Sequence, residues 1–167
     1  MIKKIIWALI FIIVAAVLQS TILRQIELFY AVPDLALGIL VFVAYSNGAM
    51  AGQVTGFFSG IIMDFLSSAP LGFNALVRTL IGGLVGFMQG TFYMDTFLLP
   101  MSLCAGATIF KALCGLLLHL IFSSVPAYDF TVPLFWVELG LNTVTAPLLF
   151  LFLKLFKTLL TGERKTR

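Results

Sequence analysis

The apolar stretches of this sequence are each about the length of a bilayer crossing, and they follow one another with hardly any polar chain between them. A hydrocarbon core about 30 Å thick takes roughly 20 residues of α-helix at 1.5 Å per residue. The stretches fall at residues 5–23, 31–46, 49–66, 75–93, 97–122 and 132–156, so about six spans use nearly all of the 167 residues. Only 10% of the residues are charged, against roughly a quarter in soluble domains, and 61% are hydrophobic. The sequence therefore predicts an all-α, polytopic transmembrane helical bundle of about six helices. Residues 1–167 form a single integral membrane domain with no separate aqueous domain and a basic tail at 157–167. The second span is the shortest. It opens on Val32-Pro33-Asp34, where proline suits a first helical position and aspartate suits a helix N-terminus, and it is the span expected to be tilted or partly re-entrant.

Charge gives the orientation. With the N-terminus inside, Lys3, Lys4, Lys154, Lys157, Arg164, Lys165 and Arg167 all lie in the cytoplasm, and Arg24 is left in an outer loop. An even number of spans is then required, with both termini cytoplasmic. The first span is too long for a signal-peptide core and is followed by others, so it reads as a retained anchor. The formal charge of +3 reflects topology and does not indicate a nucleic-acid partner. Cys104 and Cys114 are ten residues apart on one predicted helix, about 15 Å, and cannot pair with each other. No metal-ligand cluster, nucleophile elbow or phosphate-binding loop is present, so the sequence offers no catalytic residue, cofactor site or metal site, and a soluble enzyme is excluded.

The strongest local pattern is glycine at every fourth position. Gly48, Gly52, Gly56 and Gly60 lead to Asp64, and Arg78 leads to Gly82, Gly86 and Gly90. Spacing by four makes one ridge on a helix, and small residues let two backbones come close where lipid removes the hydrophobic drive. The ridges either pack helices alone or also line a groove for a partner or ligand, and they need not face each other. An antiparallel hairpin would bring Asp64 and Arg78 to one level, which predicts an ion pair between them. Charges inside spans are costly, so Lys111 on the fifth span and Glu138 on the sixth also carry information. Lys111 is expected to meet Glu138 or Asn142, either as a structural pair or as part of a partner contact or ion path. His119 shares a ridge with Lys111 and Gly115 and reads as an interfacial histidine or a proton relay.

Together these residues resemble the rod shape-determining protein MreD family. The resemblance rests on Gly60-Ile-Ile-Met-Asp64, the turn reaching Leu71-Gly72, and the following Asn74-Ala-Leu. Pro33 with Asp34, and Asn142 with Pro147 before a basic end, extend it. It implies a non-enzymatic scaffold subunit in the bacterial inner membrane, part of the cell-elongation complex that directs peptidoglycan synthesis. The implied partners are an MreC-like single-span protein and, through it, the actin-like MreB filament and peptidoglycan synthases. Membrane lipids are a further expected contact. The family is also similar in architecture to the substrate-binding subunits of energy-coupling-factor vitamin transporters, which makes a small-molecule binding subunit the alternative. Such a pocket would draw on outer polar groups, and Glu27, Asn74, Tyr128 and Asp129 are the main candidates.

Overall fold

A computed structural model describes residues 2–21, 31–67, 70–91, 97–121 and 133–161. Arg24, Glu27, Tyr128 and Asp129, and the tail residues Arg164, Lys165 and Arg167, lie outside the described residues. The helices are α1 (Ile2–Thr21), α2 (Leu35–Asn47), α3 (Ala49–Leu66), α4 (Phe73–Phe87), α5 (Leu98–Ile121), α6 (Pro133–Leu155) and a single turn, α7 (Lys157–Leu160). Four of them, α1, α3, α5 and α6, are long and apolar enough to cross a membrane. The chain is a multi-pass helical membrane protein.

The short α2 is the axis of the bundle. It packs against α1, α3, α4, α5 and α6, and every residue from Ala36 to Tyr45 is buried. Its sequence explains this: Leu-Ala-Leu-Gly-Ile-Leu-Val-Phe-Val-Ala-Tyr is apolar on all sides, so no face prefers water or the surface. With protein all round, its 13 residues, about 20 Å, need not match the bilayer thickness. The surrounding helices each bury one stripe and leave large apolar side chains outward, such as Ile6, Val14, Leu84 and Leu148. That pattern fits lipid as the solvent.

The glycine ridges of α3 and α4 face each other, and this is the tightest packing in the bundle. A methyl placed on Gly52 would strike the carbonyl of Gly82, and one on Gly82 would strike Gly52. Gly56 faces the carbonyl of Arg78, Gly60 faces the backbone of Asn74 and Ala75, and Gly86 faces Ala49. The ridges are thus consumed within the chain and are not a groove. Their ends differ from expectation. Gly48 is the junction between α2 and α3, at φ +91°, and Gly90 lies in the turn after α4, at φ +76°, so neither stands on a helical ridge. Both take backbone conformations that a side chain disfavours.

Two boundaries also move. The fourth span ends at Phe87 and not near residue 93, because Met88 to Thr91 turn the chain. The second begins at Leu35 and not near residue 31. Proline restrains the residue before it to extended backbone, so Val32 cannot be helical, and Asp34 then caps the helix. Pro33 therefore precedes the N-cap and is not the first helical residue. In α6, by contrast, Pro133 does occupy the first position, where its missing N–H is harmless. Cys104 and Cys114 are both free and buried.

Candidate functional site

Asp34 is the point where four helices are tied together. As the N-cap of α2 it accepts the Leu37 backbone N–H on Oδ1 at 2.9 Å. A helix N-terminus has N–H groups without helical partners, and here water is kept away because Asp34 itself is buried. The same carboxylate accepts Nη2 of Arg78 on both oxygens, at 2.9 and 2.7 Å. Side-chain exposure is 3% for Arg78 and 5% for Asp34, so the pair is shielded from solvent and lipid alike.

Lys111 extends the cluster into α5 and α6. Its Nζ donates to Glu138 Oε1 and stands 3.5 Å from Asp34 Oδ2. Asn142 does not meet Lys111. Its Oδ1 accepts the backbone N–H of Asp34 at 2.7 Å, and its Nδ2 donates to Thr108 Oγ1 at 3.0 Å. The Thr108 hydroxyl donates in turn to the Cys104 carbonyl at 2.9 Å. Among the described residues the arrangement holds two cations and two carboxylates, whose charges balance. Neutral pairing is what makes four charges tolerable at this depth, where a lone charge is costly. Chemically the cluster clamps α4, α5 and α6 to the start of the central helix. A crevice of about 10 Å³ lies beside it, lined by Asp34, Leu37, Gly38, Cys104, Asn142 and Leu149 among others. That is room for about one water molecule and far short of a small-molecule pocket.

The expected Asp64–Arg78 pair does not form. Arg78 lies level with Gly56, about 12 Å along α3 from Asp64. Asp64 instead caps α4 from across the turn. Its Oδ2 accepts the N–H groups of Gly72 at 2.9 Å and Ala75 at 3.3 Å. Its Oδ1 accepts the backbone N–H and the side-chain Nδ2 of Asn74, at 2.9 and 3.0 Å. The N-cap position of α4 is Gly72, at φ +92°, which has no side chain to cap with, so a carboxylate from α3 supplies the acceptors. Asn74, a candidate for an outer pocket, is committed here and also reaches Ser67 Oγ at 3.3 Å. Leu71 is exposed in the turn, and Pro147 is buried within α6. His119 lies half-buried in the last turn of α5, two turns beyond Lys111.

Asp64→Ala should strand several N–H donors at the start of α4 and destabilise the protein by about 1–3 kcal/mol. The double swap Asp64→Arg with Arg78→Asp should rescue neither single variant. Thermal unfolding in mild detergent reads both effects, and recovery in the swapped protein would restore the direct pair.

A family model described as rod shape-determining protein MreD matches residues 1–156 of the chain. No curated protein and no solved structure matches it.

Proposed function

The chain belongs to the MreD family of rod shape-determining proteins, and on that premise we propose that it is a non-enzymatic scaffold subunit of the bacterial cell-elongation complex in the inner membrane. It binds an MreC-like single-span protein, and through that partner it connects to the actin-like MreB filament and peptidoglycan synthases. The observation that carries this reading is the family match along almost the whole membrane body. The interior supports it. The polar side chains of the cluster bond one another across four helices, with Arg78 Nη1 left without a partner among the described residues, which suits a rigid platform better than a solute site.

Because the α3 and α4 glycines are spent on each other, a partner helix must approach elsewhere. Outward-facing small residues remain on α5 and α6: Ser102 and Gly106 on one, Gly140 on the other. A methyl on Gly106 or Gly140 would meet nothing within 4 Å, so each offers a place for close backbone approach. Purification of the native complex in mild detergent should recover a single-span MreC-like protein. Gly106→Leu or Gly140→Leu should reduce that recovery while leaving the thermal stability of the chain unchanged. A copurifying ATPase module with a bound vitamin-sized molecule would replace this reading with that of a transporter's substrate-binding subunit.

The scaffold reading also places both termini in the cytoplasm, where the basic ends favour retention. Reporter fusions at residues 1 and 167 should both report the cytoplasmic side. An external C-terminus would mean that one helix does not cross.

A further inference from the structure

The described acidic residues are all occupied away from one end of the bundle. Asp34 and Glu138 belong to the interior cluster, and Asp64 caps α4 at the turn between α3 and α4. The opposite end carries Lys3, Lys4, Lys154 and Lys157, and none of them has a hydrogen-bond or ion-pair partner among the described residues. Lys3 and Lys157 are exposed, while Lys4 and Lys154 have stems half-buried against protein. The α6 C-terminal dipole favours a cation in its last turn, which accounts for Lys154 alone.

The fold sets the C-terminal lysines against α1, the helix that carries Lys3 and Lys4 at its start. Helix α6 stops at Leu155, Phe156 turns the backbone, and α7 packs onto α1. Two contacts fix this turn. Leu160 is fully buried, and Asn47 Nδ2 donates to the Leu160 carbonyl at 2.7 Å. The Phe156 ring then lies 5.1 Å from Phe11 of α1 and 5.3 Å from Phe152 of α6. The result is an aromatic seam joining α1 to α6, bordered by ammonium groups that have no partner among the described residues and opening on exposed apolar side chains such as Phe152 and Leu155.

We propose that this seam is a binding site for an anionic glycerophospholipid of the adjoining leaflet. The phosphate diester sits at Lys154 and Lys157, which flank the Phe156 turn, Lys3 and Lys4 add attraction from about 10 Å along α1, and an acyl chain lies along Phe11, Phe156 and Phe152. Charge complementarity selects the headgroup: juxtamembrane lysines attract anionic lipid, and an ammonium binds phosphate as a point charge. The seam supplies what lysines in water lack, an apolar wall at the depth where the acyl chain begins. The proposal rests on membrane residence and these contacts, and not on the scaffold reading.

The test uses the full chain in nanodiscs of equimolar phosphatidylglycerol and phosphatidylcholine with matched acyl chains, with bound lipid read by native mass spectrometry. The wild type should retain phosphatidylglycerol over phosphatidylcholine by about fivefold or more, on the scale of one lysine near a charged membrane surface. Lys4→Gln with Lys154→Gln and Lys157→Gln should bring the ratio to that of the bulk lipid. Its helicity and thermal stability in pure phosphatidylcholine should match the wild type. A second arm needs no variant: about 1 M salt shortens the screening length to about 3 Å and should abolish the wild-type preference. No preference in the wild type, or a preference that survives both neutralisation and salt, overturns the proposal.

Discussion

Replacing Arg78 by methionine should destabilise the protein by about 3–5 kcal/mol, the usual cost of removing one partner from a buried ion pair. The Asp34 carboxylate would keep the Leu37 N–H and the more distant Lys111 but lose both Nη2 contacts. The described charges of the cluster would also pass from balanced to net negative inside the bundle. Asp34→Asn is expected to be milder on the backbone, since asparagine caps helices about as well as aspartate, but it leaves Arg78 as an unpaired cation. The informative protein is the double variant, Asp34→Asn with Arg78→Met. It removes both charges, keeps a capping side chain, and leaves Lys111 with Glu138 as a neutral pair. It should therefore be more stable than Arg78→Met alone, with a coupling energy of about 1–3 kcal/mol. Thermal unfolding in detergent gives all three values. Purely additive losses would mean that the two side chains act independently, and the clamp would fail as an account of this site.

The helices were legible in the sequence because length and apolarity fix them directly. The boundaries of α3, α5 and α6 lie within a residue or so of the expected spans. The centrality of α2 was readable in principle, since a segment apolar on every face belongs inside, but its shortness argued instead for a tilted or re-entrant segment. The glycine spacing pointed to close packing, but it does not say which members meet: Gly52, Gly56, Gly60, Gly82 and Gly86 do so across α3 and α4, while Gly48 and Gly90 sit in turns. Lys111 with Glu138 was readable because both are charges on successive spans.

The partner of Arg78 was not readable, for a physical reason. A hairpin constrains neighbours in sequence, so Asp64 looked like the available carboxylate. Asp34 stands 44 residues away and reaches Arg78 only because α2 is threaded through the middle of the bundle. Local chemistry also pulled Asp64 elsewhere. Gly72 leaves the start of α4 without a side-chain cap, and a carboxylate nearby is better placed on those N–H groups than on a guanidinium about two turns down. The signal that was present, an aspartate directly after a proline at a helix start, identified Asp34 as a cap and said nothing of its second partner.

Gly56→Leu should be the most damaging of the glycine substitutions, because it acts on the hairpin and on the ion cluster at once. Overpacking a well-filled interior typically costs about 1–3 kcal/mol, when neighbouring side chains can move aside. Here the first atom added would meet the Arg78 carbonyl and the backbone of Thr79, which cannot rotate away, so α3 and α4 must separate. A loss of about 3 kcal/mol or more is expected. Gly86→Leu, which meets the backbone of Ala49, should cost a similar amount in packing but leave the cluster in place. The distinction is measurable. Moving α4 outward at Gly56 draws Arg78 away from Asp34, so part of the ion-pair energy is already lost in Gly56→Leu. Combining it with Arg78→Met should then cost less than the sum of the two, whereas Gly86→Leu with Arg78→Met should be nearly additive. Gly106→Leu is the control for added bulk, since its side chain would extend into open space. If Gly56→Leu unfolds at the wild-type temperature, the α3 ridge looks onto lipid and the hairpin is not the foundation that holds Arg78 in position.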